Sequence, residues 1–126
     1  MKDSRPINLD LTTVSFPITA IASILHRICA VIVWIGMAFY LVTLSHLLGS
    51  KEEFDSFHEL MQASFPVQFI TWGLLSAFSY YCMGSLKHII QDLGYFEDFD
   101  GGKAISWAAI VLGVLLSIFV GVVIWL

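Results

Sequence analysis

The sequence predicts an all-α membrane protein, with three transmembrane helices that form half of a larger membrane-anchor bundle. Composition is the first reason. The 126 residues are 58 % hydrophobic and 13 % charged, with a mean hydropathy of +0.84; soluble domains average about 45–50 % apolar and about 25 % charged. Charge spacing is the second. Residues 28–50, 60–86 and 104–126 contain no Asp, Glu, Lys or Arg, and each run exceeds the roughly 20 residues that cross a hydrocarbon core as a helix. The third is the lack of alternating polarity in these runs. Barrel strands alternate, and other backbone in lipid must pair its polar groups within its own segment, as a helix does. So short a chain cannot bury this much apolar surface in a core of its own. Disordered chains are poor in apolar residues and are excluded. Six Lys+Arg against ten Asp+Glu, net −4, exclude a basic nucleic-acid binder.

The first span is expected at 17–48, with Ser15 as N-cap and Pro17 in the first turn. Its length, about 48 Å at about 1.5 Å per residue, exceeds the membrane core, so it must tilt or protrude. In the acidic stretch that follows, Phe54, Phe57 and Met61 fall at helical spacing and predict a short interfacial helix. The second span is expected at 62–90 and the third at 104–126, after a flexible break at Gly101-Gly102. Trp107 and Trp125 lie 18 residues apart, about 27 Å along a helix, which suits two interfacial aromatic belts. Small residues recur every fourth position in the third span (Ala109, Gly113, Ser117, Gly121). Gly73, Ala77 and Ser85, interrupted by Tyr81, form a similar row in the second. Such rows admit close helix neighbours, hence the larger bundle. Residues 1–126 then form a single membrane-anchor domain.

Lys2, Arg5, Arg27, Lys87 and Lys103 fall on one side of the membrane and only Lys51 on the other. The positive-inside rule places the N-terminus and second loop in the cytoplasm. Asp3, Asp10 and the length of the first apolar run argue against a cleaved signal peptide. Cys29 and Cys82 sit in apolar runs and read as small buried thiols. No CxxC or Cys/His metal spacing is present.

Polar groups at membrane depth are costly and mark function. Ser23, His26 and Arg27, at i, i+3 and i+4, are expected to share one helical face. The guanidinium cannot be deprotonated, so it needs an acceptor: carboxylate, phosphate, carbonyl or lipid headgroup. Lys87, His88 and Asp92 end the second span, where Asp92 could orient the His88 ring. Tyr81, two turns before His88, is expected to make one interhelical hydrogen bond. Both clusters fall on the cytoplasmic side, which favours one shared pocket. Glu97, Asp98 and Asp100 lack the D-x-D-x-D-G pattern of a calcium loop and read as solvated. His46 and His58 belong to the opposite side.

The segment Arg5-Pro6-Ile7-Asn8-Leu9-Asp10-Leu11, followed by Phe16-Pro17-Ile18-Thr19-Ala20-Ile21-Ala22-Ser23-Ile24-Leu25-His26-Arg27, resembles the cytochrome b membrane-anchor subunit of bacterial succinate dehydrogenase. Leu86-Lys87-His88, with Asp92 and Gly94-Tyr95, is similar to that family's second signature. The resemblance covers essentially the whole chain. It implies a multi-pass subunit of the bacterial inner membrane, N-terminus in the cytoplasm. Its partners would be a second hydrophobic anchor, an iron–sulfur subunit, a flavoprotein and membrane lipid. It also implies a non-catalytic subunit of an oxidoreductase complex that passes electrons from succinate to ubiquinone, linking the tricarboxylic acid cycle to respiration. Ser23 and Arg27 match the family's quinone-binding residues; His26 and Arg27 match those beside the haem propionates. Haem b is the implied cofactor, its iron the only implied metal. The usual ligand from this subunit stands seven positions before the equivalent of His88, where this chain has Tyr81; His88 is the candidate replacement. The chain also departs at Cys29-Ala30, usually Ser-Gly, and at Lys87, usually Arg. An anchor of a fumarate reductase, a structural anchor without quinone or haem, and a small channel subunit are the other readings.

Overall fold

The computed structural model describes residue 7 and residues 9–126; Lys2, Asp3, Arg5, Pro6 and Asn8 lie outside the described residues. A 3-10 turn, Leu11–Thr13, leads into four α-helices: α1 Ile18–Gly49, α2 Lys51–Ala63, α3 Phe65–Asp92 and α4 Phe99–Trp125. No strand occurs among the described residues, so the all-α class holds. By length and composition α1 and α4 can each cross a membrane. α3 is as long, but Thr71, Trp72, Ser76, Ser79, Tyr80, Tyr81 and Ser85 dilute its apolar run.

The helix boundaries follow from capping. Asp10 caps the 3-10 turn, accepting from the Thr12 hydroxyl at 2.7 Å and the Thr12 N–H at 3.0 Å. These bonds, the hydroxyl's first, hold the Asp10 carboxyl below its ordinary pKa. Ser15 does not cap α1. The N-cap is Pro17, whose extended backbone sets the boundary and whose carbonyl accepts from Ala20 and Ile21. Ser15 stands two residues too early to reach the first-turn N–H groups. Ser50 caps α2 by accepting from Glu53 N–H at 3.1 Å, and Glu52 and Glu53 suit the positive end of the helix. α2 is the expected short helix: Phe57 and Met61 are half-buried, Phe54 exposed. α3 starts at Phe65 rather than 62, because Ser64 is extended and Pro66 is accommodated only in a first turn.

The second loop departs most from expectation. α3 ends in a Schellman motif: Gly94, at φ 90°, donates to Gln91 O, and Tyr95 donates to Ile90 O. Gly101-Gly102 is not a flexible break but part of the first turn of α4. Asp98, read above as solvated, accepts from Gly101 N–H at 3.1 Å, and its carbonyl accepts from Gly102 N–H at 2.8 Å. That cap offsets the helix cost of glycine, about 1 kcal/mol each. An added Cβ at Gly101 would also crowd the loop, lying 3.0 Å from Phe96 Cα and against the capping carboxylate of Asp98.

α3 packs against both α1 and α4, while α2 closes one end against α1 and α3. The small-residue row of α4 meets α3 inside the chain. Ala109 and Gly113 are buried. Ser117 bonds Ser76 at 2.7 Å, and its carbonyl accepts from Trp72 Nε1 at 3.0 Å. The α3 row does not act as one stripe: Ala77 is buried, but a Cβ at Gly73 would meet nothing within 4 Å. Trp125 folds back onto α3, its Nε1 donating to Gln68 Oε1 at 3.0 Å. Tyr80 joins the three long helices. Its hydroxyl donates to Ala22 O at 2.8 Å, and its ring lies so close to Gly113 that an added Cβ would be 2.6 Å from Cδ2.

Tyr80→Phe removes one hydrogen bond and should lower stability in detergent by about 0.5–1.5 kcal/mol. Gly113→Val overpacks the junction and should cost more, about 1–3 kcal/mol. Thermal unfolding of the two variants in the assembled protein checks the order.

Candidate functional site

The start of α1, the end of α3 and the start of α4 meet at one end of the bundle. A Cβ at Gly102 would lie 3.8 Å from Thr19 and 4.0 Å from Gln91. α1 and α3 run antiparallel there: Gly36 faces Leu74 and Gly84 faces His26.

His26 is the centre of this end. Its Nε2 shares a hydrogen bond with Ser85 Oγ at 3.1 Å. Its ring stacks on Tyr81, centroids 4.9 Å apart and planes 1° apart, and meets the His88 ring edge-on at 5.3 Å. Gly84 makes this possible, because a Cβ there would fall on the imidazole, 2.9 Å from Cγ. The structure therefore joins three residues singled out in the sequence, His26, Tyr81 and His88. Two more were missed in these roles. Ser85 was read only as a small residue in a row, and Gly84 lies outside that row. Nothing in helical spacing marks a glycine as the seat for an imidazole of another helix.

The expected contacts around these residues change. Tyr81 contributes its ring, not its hydroxyl; interhelical tyrosine hydrogen bonds are made by Tyr80, to Ala22 O, and by Tyr40, to Leu74 O. Both neighbours meet α1, Tyr80 through its hydroxyl at Ala22 O and Tyr81 through the face of its ring at His26. Among the described residues no hydrogen bond or ion pair joins Asp92 to His88, and His88 rests against His26.

Ser23 is half-buried and Arg27 exposed. Among the described residues neither side chain has a hydrogen bond or ion pair within the chain. Lys87 is buried, 7 % exposed, while Asp92 is exposed. Cys29 and Cys82 are free and half-buried, less enclosed than expected. His46 and His58 lie towards the α2 end; His46 Nδ1 pairs with Val42 O and His58 Nε2 with Gln62. Among the described residues no three His, Cys, Asp or Glu side chains gather to hold a metal ion.

Long apolar helices, a polar cluster at one end of the bundle and the two sequence signatures all fall within one matched stretch. The succinate dehydrogenase/fumarate reductase transmembrane-subunit family matches residues 1–120. The chain belongs to this family. It is also 31 % identical over 125 residues to the succinate dehydrogenase cytochrome b556 subunit of Coxiella burnetii, an alignment covering 99 % of this chain and 100 % of that one. As a succinate dehydrogenase/fumarate reductase membrane-anchor subunit, the chain needs its outward surface to be apolar. Trp34 (79 % exposed), Phe119 (63 %) and Val123 (67 %) provide that surface.

The two α3 glycines give a matched test of the cluster. Gly73→Ala adds a methyl to open space and should be neutral or stabilising by up to about 1 kcal/mol through helix propensity. Gly84→Ala should destabilise, because the His26 ring must move. In detergent, Gly84→Ala should lower the melting temperature, and Gly73→Ala should leave it unchanged or raise it.

Proposed function

We propose that this subunit crosses the bacterial inner membrane three times, by α1, α3 and α4, and completes a ubiquinone-reduction site beside an iron–sulfur partner. That partner, a flavoprotein and a second hydrophobic anchor make up the rest of the complex, with the start of α1 on the cytoplasmic side. The observation that carries the site is Ser23 with Arg27. They stand one turn apart on α1, next to the His26 cluster, each without a side-chain partner among the described residues. In this reading the Ser23 hydroxyl donates to a quinone carbonyl. The Arg27 guanidinium offsets the negative charge that grows on the quinone oxygens as two electrons and two protons convert ubiquinone to ubiquinol. Oriented donors in a poorly solvated site stabilise such charge without reorganising. The subunit carries no succinate chemistry of its own.

Support for the α3 crossing comes from how its polar groups are satisfied. Its 28 residues span about 42 Å at about 1.5 Å each, more than the roughly 30 Å core. Ser76 bonds Ser117, Ser79 donates to Leu75 O, Tyr80 to Ala22 O and Trp72 to Ser117 O. Polar groups turned inward and paired in this way suit a helix in lipid. A cysteine-free background with Glu52→Cys or Glu97→Cys tests the topology. A membrane-impermeant maleimide should label the first from the periplasm and the second only after permeabilisation. Labelling of both from one side would mean that α3 does not cross.

Ser23→Ala and Arg27→Leu test the site. Loss of a hydrogen bond to a charged group, about 1.5–3 kcal/mol, corresponds to a roughly ten- to hundredfold fall in quinone reduction. Succinate oxidation with a soluble acceptor should persist, because that chemistry sits in another subunit. Wild-type quinone reduction in both assembled variants would overturn the assignment.

A further inference from the structure

The relative from Coxiella burnetii is named a cytochrome b, and haem b is the group that the proposed function would bring to this chain. A b-type haem needs an imidazole directed at the iron, its second nitrogen held by a hydrogen bond, and a flat apolar slot for the macrocycle.

The chain has four histidines, and none meets these needs. His46 and His58 lie towards the other end, paired with Val42 O and Gln62. His26 has a hydrogen bond, but through Nε2, the outer nitrogen, which Ser85 occupies. One face of its ring is covered by Tyr81, His88 meets it edge-on, and Gly84 lies close beneath. His88 has no hydrogen bond among the described residues to set its tautomer, and it is exposed in the last turns of α3 between Lys87 and Asp92. Tyr81, at the family's usual ligand position, lies flat against His26, and a phenol is a poor ligand for ferrous haem.

We infer that this subunit supplies no axial ligand to a haem iron, and that a clasp of His26, Ser85, Tyr81 and His88, seated on Gly84, fastens α1 to α3 where a haem ligand would otherwise stand. The inference rests on the chain being the anchor proposed above. The clasp explains three sequence features together. A tyrosine ring at 81 offers the broad face that His26 lies on, a serine at 85 fills its Nε2, and a glycine at 84 admits the ring.

The test is a dithionite-reduced minus oxidised spectrum of the assembled complex, with a pyridine haemochrome assay. It is run on wild type, His26→Leu, His88→Leu and Tyr81→Phe. Absence of a low-spin b-type α-band in wild type is the expected result. A band that persists unchanged in all three variants assigns the haem to other subunits and also supports the inference. A band lost or converted to high spin in any one of them, with the complex still assembled, overturns it. The clasp has its own readout. Ser85→Ala and His26→Leu should lower the melting temperature of the complex, whereas Tyr81→Phe, which keeps the stacking ring, should not. Unchanged melting in both Ser85→Ala and His26→Leu would overturn the clasp. Wild-type quinone reduction in Ser23→Ala would sink the quinone reading and leave these spectra and melts separately readable.

Discussion

The hydrogen bond from the Tyr80 hydroxyl to the Ala22 carbonyl, made over a ring that leaves no room beyond Gly113, is the constraint on which the arrangement rests. A phenol buried among apolar helices must find an acceptor, and this one takes the carbonyl of a residue that is 2 % exposed. The bond sets how deep α3 lies against α1. The ring sets how close α4 approaches, since only a residue without Cβ fits beneath it. With that depth set, the next turn of α3 brings Gly84 under His26.

The same constraint shapes the outer surface. Ser76, Ser79, Tyr80 and Ser85 on α3 have their hydroxyls taken up by α4, by their own backbone or by α1. The surface left to the outside is therefore apolar, as in Trp34, Phe39 and Phe119. The ionisable groups collect near the helix ends. A lipid environment suits this division, because polar groups inside the bundle need no water and apolar groups outside it need no core.

His26 and Arg27 are neighbours with different surroundings. Their spacing with Ser23 suggested one shared face. About 100° of rotation per residue instead lets α3 claim His26 while Arg27 stays exposed. The imidazole has aromatic and hydroxyl partners inside the chain. The guanidinium, always charged and rich in donors, has none among the described residues and faces outward.

Local chemistry was legible from the residues alone. Long uncharged runs required helices, Phe54, Phe57 and Met61 announced α2, and the α4 row of small residues marked a close helix contact. The first two signatures pointed to the family. Tertiary structure decided what depends on which residues meet. Asp98 became a helix cap because Gly101 N–H lay within its reach, and it drew the two glycines into α4. Tyr80, rather than Tyr81, took a hydrogen bond to α1 because its hydroxyl reaches the Ala22 carbonyl, whereas the Tyr81 ring lies flat on His26 of the same helix. Gly84 became the seat of His26, since spacing along one helix carries no record of the side chain that another helix presses against it.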